Sequence, residues 1–474
     1  MIRVDTSAAT GSKVKDIKIA YIGGGSRGWA WRLMADFAME EALSGTFALY
    51  DIDKEAARRN AVIGNRLSAI EEAVGKWDYV VADSLEEAVT GSDFVIISIL
   101  PGTFDEMEID VHMPERLGVW QSVGDTVGPG GIVRVLRTIP MIVEIAEAVR
   151  EYAPEAWVIN YTNPMALCVR ALYHTFPEIK AFGCCHEVFG TQKILKNMCE
   201  ERLGMKDVKR NEIIVNVLGI NHFTWFSEAS CRGVDLFPVY REFVAENNKV
   251  GLDKKDENWM NELESVSSKN LVKFDLFERY GWIAAAGDRH LAEFMPGDEY
   301  LKNPDTVTSW GYKLTTVKSR KEDLKKRMDK SDRLLAGEDV KLKPSGEEGV
   351  ALIKALLGLG RFVSNVNIPN TYGQIPNLPA DTVVETNAVF ARDSIKPVVA
   401  GNIKPDIREL IMPHAKNQDL ILKAALNCEF EPAFEAMMAD PNISAKCRGE
   451  QVMQLLRDMI SETAKYLPEK WKID

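Results

Sequence analysis

The chain has 474 residues, 46% of them hydrophobic, which is enough for a large core and two domains of ordinary size. Its formal net charge of −12 excludes the broad basic surface that a nucleic-acid partner needs. No apolar run reaches the roughly 20 residues of a membrane span, the first residues lack a signal-peptide core, and seven cysteines without disulfide-framework spacing point to free thiols in the cytoplasm.

Residues 1–15 are polar and read as a loose tail. A strand over 16–22 runs into a glycine turn and a helix over 29–42. Residues 46–50 form a second strand that ends in Asp51-Ile52-Asp53. A helix over 54–74, a strand over 78–81 and a short helix over 85–90 follow, and 94–99 is a fully apolar fourth strand. The glycine-rich loop 124–131 opens a long helix to about Tyr152. Residues 157–160 are the next strand, and 181–183 lead into Cys184-Cys185-His186-Glu187. Such alternation predicts an α/β fold with a Rossmann-like, doubly wound parallel sheet covered on both faces. The polar motifs fall just past the carboxyl ends of its strands, where open sheets of this kind bind ligands.

Beyond about residue 210 the pattern changes to a strand over 213–219, a mixed region, helices near 348–358 and 407–426, and an amphipathic helix over 450–466. A boundary near 200–212 therefore divides a dinucleotide-binding domain, residues 1–209, from a C-terminal α+β catalytic domain, residues 210–474. The basic run 318–326 is short and mixed with acids, as on a solvated helix face.

Gly23, Gly25 and Gly28 have the spacing G-x-G-x-x-G, and Gly24 and Ser26 complete the turn. The first glycine permits the tight turn, the second lets backbone approach a pyrophosphate, and the third lets helix pack on strand. Alone the motif is weak, but here a strand precedes it, a helix follows and an acid ends the next strand. Asp51 or Asp53 would accept hydrogen bonds from ribose hydroxyls, and Asp51, nearer the strand end, is favoured over a helix-capping role. An acid there repels a 2′-phosphate, so the expected cofactor is NAD rather than NADP.

A second constellation is suited to a metal. Cys185 stands in a polar run after a strand, while Cys184 alternates with it and points into core. His222 follows Asn221 at the end of the 213–219 strand. A thiolate and an imidazole with an open coordination sphere suit a divalent first-row metal that also takes substrate oxygens. Structural zinc would want four protein ligands, and there is no second cysteine pair. His290 lies in a run, 286–294, that crowds Asp288, Arg289 and Glu293 between apolar neighbours, as functional sites do. His112, His174 and His414 have no such company and read as structural.

Together these motifs resemble family 4 of the glycoside hydrolases, the NAD- and metal-dependent glycosidases, over roughly residues 16–465. The carrying residues are Ile22-Gly23-Gly24-Gly25-Ser26, Tyr161-Thr162-Asn163-Pro164-Met165, Cys185-His186, Gly219-Ile220-Asn221-His222 and the segment 288–294. The run 183–190 is most similar to the branch that acts on alpha-linked galacturonides. The resemblance implies that Cys185 and His222 hold a divalent metal, usually Mn2+, that Asn163 holds the sugar beside it, and that Gly23 to Ser26 and Asp51 form the NAD site. It implies hydrolysis outside the two-carboxylate scheme of most glycosidases: oxidation at C3 of the sugar, loss of the C2 proton, elimination of the glycosidic oxygen, addition of water and return of the hydride.

Many members of that family carry an Asp after the ligand cysteine as the acid. His186 stands there in this chain and can donate a proton near neutral pH. Asp288 is nominated as base, with Tyr280 in reserve. A uronide carboxylate needs a cation when buried. Arg289 is the first candidate, with Arg134 and Arg137 behind it and simple neutralisation of Asp288 as the alternative for Arg289. The resemblance further implies a homo-oligomer, dimer or tetramer. Alpha-glucuronidase, alpha-galactosidase and alpha-glucosidase activities are the alternatives within the family. A malate- or lactate-type dehydrogenase would use an Asp–His relay and no metal. A non-catalytic NAD-binding protein would not need Cys185, His222 and Asp288.

Overall fold

The structure, a computed structural model, describes residues 3–5, 13–252, 268–339 and 342–471; of the expected tail, residues 1–2 and 6–12 lie outside these. Six parallel strands, β1 (Lys13–Ile22), β2 (Leu43–Tyr50), β3 (Lys76–Val81), β4 (Phe94–Ile97), β5 (Trp157–Asn160) and β6 (Lys180–Gly183), lie in the order β3-β2-β1-β4-β5-β6. This is the doubly wound dinucleotide-binding order, and its switch point falls between β1 and β4. β4 is buried at all four positions, because helices cover both faces of the sheet.

The elements differ from expectation mainly at their ends. β1 starts at Lys13 rather than 16, and Arg3–Asp5 pairs antiparallel with it. Its exposed Lys15 and Asp16, with Asp16 at φ 61°, interrupt the apolar alternation that would have revealed the start. The first helix, Trp29–Ala38, stops four residues short of the expected end, because Leu43 is already buried and paired with Val14 in β2. The long helix Gly128–Tyr152 begins inside the glycine loop, with Pro129 in its first turn, where a missing N–H costs nothing.

The sheet does not stop at the expected boundary. The strands Phe362–Pro369, Val383–Ala391 and Ser394–Pro397 extend it antiparallel beyond β6, and with Arg3–Asp5 it has ten strands among the described residues. The junction is the pair Asn367–Gly183, and a Cβ on Gly183 would lie 3.0 Å from that of Asn367. The helices Pro405–Asn427 and Glu450–Glu462 also return, burying Ile421, Leu422, Leu455 and Met459 against Val133, Leu136 and Ile142 of the Gly128–Tyr152 helix. A second, antiparallel sheet holds the hairpin Ile213–Ile220 and Phe223–Cys231, with Val234–Asp235 and Ile283–Ala284. Among the described residues no helix is long and apolar enough to cross a membrane.

Candidate active site

At the switch point the chain leaves β1 so close to β4 that a Cβ on Gly23 would lie 2.0 Å from the Ser98 carbonyl oxygen, and Gly23 holds φ 92°. Only glycine fits there. The Gly25 N–H donates to Asp51 Oδ2 at 2.9 Å, and Asp51 Oδ1 accepts from the Asp53 N–H at 2.9 Å. Burial raises the Asp51 carboxyl, and those two N–H groups offset it in part. The cap of the next helix is Asp53, whose Oδ1 accepts from the Ala56 N–H at 3.0 Å. Of the two acids, Asp51 is the one turned to the glycine turn. Asn60 locks that turn by donating to the carbonyls of Gly24 (2.7 Å) and Ser26 (3.0 Å).

Asp125, His222 and His290 come from three separate segments, and each brings a ligand atom within 4.8 Å of the others. The rings of His222 and His290 lie 3.9 Å apart, centroid to centroid, at 30°. Thr126 Oγ1 donates to Asp125 Oδ1 at 2.8 Å and lies 2.9 Å from His222 Nδ1. With its proton spent on Asp125, the hydroxyl accepts from His222 Nδ1, which leaves Nε2 with its lone pair. His290 Nδ1 is buried without a hydrogen-bond partner, and Nε2 faces Glu187 Oε1 at 3.9 Å. Burial and the nearby His290 push His222 down to about 3, so it stays a neutral ligand at physiological pH. Burial pushes the Asp125 carboxyl up, but His290, Arg134, His222 and Arg320 outweigh it and hold the group well below the ordinary range. Two imidazoles with bare nitrogens beside an ionised carboxylate suit a divalent first-row metal with open positions.

The backbone is committed to this arrangement. His222 is the second residue of the two-residue turn between Ile220 and Phe223, and it holds φ 64°, a conformation that favours Gly or Asn. Asp125 lies in the glycine loop, which Glu293 Oε1 fixes by accepting from the N–H groups of Val123 (2.7 Å) and Gly124 (2.8 Å).

Residues 18–201 match the profile of the Family 4 glycosyl hydrolases, and residues 217–443 match that of the Family 4 glycosyl hydrolase C-terminal domain. The chain belongs to this family. It is 58% identical, over 97% of its own length and 99% of the relative's, to an alpha-galacturonidase of Lachnoclostridium phytofermentans. The crystal structure of lplD from Bacillus subtilis superposes with a TM-score of 0.88 at 50% identity, covering 94% of this chain and 100% of that one. A 6-phospho-alpha-glucosidase from gut microorganisms, solved in complex with NAD and Mn2+, shares the fold at a TM-score of 0.76 and 20% identity, over 96% of this chain and 99% of that one.

In this family 4 hydrolase Cys185 is not one of the three clustered residues. Its thiol follows β6 at the start of the helix Glu187–Leu203, where the Glu187 N–H favours a thiolate. Burial, with the carboxylates of Glu385 and Glu187, nevertheless pushes it well above the usual thiol range. Asn163 follows β5, and its Oδ1 is buried without a hydrogen-bond partner. His186 Nδ1 lies 3.0 Å from Glu347 Oε1; burial opposes its charge, but Glu347 prevails and raises it to about 9. Arg289 is buried and donates Nη2 to the Ser122 carbonyl at 3.0 Å. Arg137 is paired with Asp110, each side chain 1% exposed, and so is committed away from a ligand, while Arg134 Nε reaches the Asn163 carbonyl at 3.3 Å.

Asp288 and Tyr280 stand at opposite ends of one helix, Leu271–Tyr280. Asp288 Oδ1 accepts from the Lys273 N–H at 3.0 Å in its first turn, and Tyr280 ends it, with its hydroxyl 3.1 Å from Arg279 Nη2. Burial raises the Asp288 carboxyl, and the Lys273 ammonium counters this in part. Sequence reasoning assigned no role to Asp125, Glu187 or Glu347. An acid inside the glycine-rich loop 124–131 was a usable signal for Asp125. Nothing local marks Glu347, which meets His186 only through the fold.

Proposed function

We propose that this chain hydrolyses alpha-linked galacturonides with NAD and a divalent metal, as a homo-oligomer in the cytoplasm. The observation that carries the reading is the 58% identity, over nearly all of both chains, to a relative named alpha-galacturonidase. The donor set fits both groups. Gly23, Gly24, Gly25 and Ser26 offer backbone to a pyrophosphate at the switch point, and Asp51 keeps acceptor capacity for a ribose. His222 is common to the pair with Cys185 and to the cluster with Asp125 and His290, and the bare nitrogen of His290 is a ligand position. When bound, NAD supplies a hydride acceptor and the metal a Lewis acid.

The chain's own residues then divide the remaining work. Asn163 Oδ1 accepts from a sugar hydroxyl. His186, kept protonated at neutral pH by Glu347, donates to the leaving glycosidic oxygen. Asp288 takes the C2 proton, supported by its raised pKa and its unpartnered Oδ2. Tyr280, at the other end of that helix, does not share the role. Glu187, which burial would raise but His290, His222 and His186 hold at about 2, places a negative charge 3.9 Å from His290 Nε2 without a hydrogen bond to it. Arg289 faces the substrate carboxylate.

The test is release of 4-nitrophenol from its alpha-galacturonide, beside the alpha-galactoside and alpha-glucuronide, with and without NAD and Mn2+. Release that needs both additives and is fastest on the galacturonide is expected, and in D2O the sugar product carries deuterium at C2. Faster release from a neutral sugar would overturn the substrate. Product without deuterium at C2 would overturn the elimination.

A further inference from the structure

The helix Val317–Ala336 buries only Val317, Ser331 and Leu334, so apolar packing does little to hold it. Polar contacts place it instead, and they place it beside the glycine turn. Arg59 and Arg66, from the helix that follows Asp51 and Asp53, both donate to it. Arg59 Nε reaches Ser331 Oγ at 3.2 Å, and Arg66 Nη1 reaches the carbonyls of Leu334 (2.6 Å) and Leu335 (2.8 Å). Lys330 Nζ stands 5.8 Å from the centroid of the Trp31 ring. One turn earlier, Arg327 Nη1 donates to the Arg27 carbonyl at 3.3 Å. The Arg327 side chain lies over Gly28, where a Cβ would meet its Cδ at 3.3 Å and its Nη1 at 3.4 Å.

That place borders the open end of the helix Trp29–Ala38. The N–H groups of Gly23 and Gly24 donate to the Tyr50 carbonyl, that of Gly25 to Asp51 and that of Ser26 to the Gly23 carbonyl. The following N–H groups open the helix, which has no side-chain cap and no acid in its first turn. Such a start suits an anion, and the diphosphate of NAD is a dianion. The charged groups around it are already engaged with one another. Asp51 accepts from Gly25 and Asp53, and Asp53 caps the next helix and meets Arg27 Nη2 at 3.1 Å. Arg327 Nη2 meets Asp323 one turn back on its own helix, each side chain half exposed. An exposed pair of this kind is weak, and a guanidinium has N–H donors to spare for a second anion.

We infer that Arg327 is a cofactor-binding residue that meets the diphosphate of NAD beside the N–H groups of the glycine turn. The dinucleotide-binding domain supplies the backbone of the phosphate site, and a helix from far along the chain supplies a charge. This rests on the glycine turn as the NAD site and not on which sugar is cleaved.

The test is isothermal titration of NAD, and of ADP-ribose, which keeps the diphosphate but lacks the nicotinamide, into wild type, Arg327→Gln and Arg327→Lys. It is run at several NaCl concentrations, with thermal melting as the check of folding. Arg327→Gln is expected to weaken both ligands about tenfold. Arg327→Lys, which keeps the charge but loses the planar fork, weakens them about threefold. Wild-type affinity falls as salt is added, and the fall is shallower in Arg327→Gln, where one charged contact is missing. An unchanged Kd in folded Arg327→Gln overturns the role. Weaker binding with the wild-type salt dependence makes Arg327 a support of the turn through the Arg27 carbonyl, and overturns it as well. A wild type that binds neither ligand overturns the NAD site itself, whereas the sugar is decided separately by release of 4-nitrophenol.

Discussion

The glycine turn at residues 23–28 and the cluster of Asp125, His222 and His290 are built in opposite ways. In the turn, almost every contact is made by backbone: the N–H of Gly25 on Asp51, the carbonyls of Gly24 and Ser26 on Asn60, and the bare Cα of Gly23 against Ser98. In the cluster every contact that matters is a side chain, and the three contributors meet only through the fold. The turn is also nearly satisfied in itself, whereas the cluster's surroundings keep buried polar atoms without partners: Asn163 Oδ1, Asn221 Oδ1, His290 Nδ1 and Glu293 Oε2. A site made of backbone can be finished before its ligand arrives. A site made of converging side chains leaves its valences open for the ligand.

The sharpest way to break this contrast is His222→Asn. Asn tolerates the left-handed conformation of residue 222, so the hairpin survives and Tm stays within about 3 °C of wild type. The imidazole is lost, and kcat should fall about 1000-fold. Isothermal titration with Mn2+ should show no binding, while NAD still binds to the turn. A variant that retains Mn2+ affinity would remove His222 from the metal site. The same titration on His290→Ala should show affinity weakened by more than the roughly 10- to 100-fold that loss of a partner behind a ligand costs, and on Cys185→Ser it tests the other proposed ligand.

How much of each region was legible follows from the same difference. The turn could be read because its glycines, strand and acids are contiguous, and the structure adds that Asp53, not the favoured Asp51, caps the next helix. His222 and His290 were each visible as suspicious histidines, but nothing in sequence says that they stack on one another or that Asp125 joins them. The inward contact of Arg320, whose Nη2 donates to the Val123 carbonyl, was hidden by its company, since a basic run on a helix is usually a solvated face. The return of residues 362–397 to the first sheet was likewise hidden, because an antiparallel addition to a parallel sheet leaves no local mark.

A second difference is electrostatic. Glu385 is 1% exposed, and its oxygens accept from Asn365 Nδ2 (2.6 Å) and Asn221 Nδ2 (3.2 Å), the latter next to His222. Burial raises its pKa from 4.5 to about 7 against these hydrogen bonds. A carboxyl with a raised folded-state pKa binds more protons folded than unfolded, so stability is full below about 4.5 and is lost as pH rises to about 7. The shift corresponds to about 3 kcal/mol. Glu385→Gln cannot ionise, and Asn221, with Oδ1 free, can turn to meet the new amide. Urea unfolding of the metal-free proteins at pH 5 and pH 8 should show the variant gaining up to that amount over wild type at the higher pH. A constant difference between the two pH values would mean that Glu385 carries no such penalty.

The smallest effect belongs to the finished region. Asp53 is half exposed, caps the helix Lys54–Ala69 and meets Arg27 Nη2 at 3.1 Å. Asp53→Ala removes the cap and should cost about 1 kcal/mol of stability. The exposed ion pair adds little to that. NAD affinity should stay within about threefold, because the Gly25 N–H and the ribose acceptor depend on Asp51. Asp51→Ala should reverse the pattern, weakening NAD binding more than it weakens the fold, since burial already penalises the Asp51 carboxylate and offsets part of what its two hydrogen bonds contribute. If Asp53→Ala instead loses NAD as severely as Asp51→Ala, the two acids act as one unit through the Asp53 N–H on Asp51 Oδ1, and the turn is less independent of its cap than the hydrogen bonds imply.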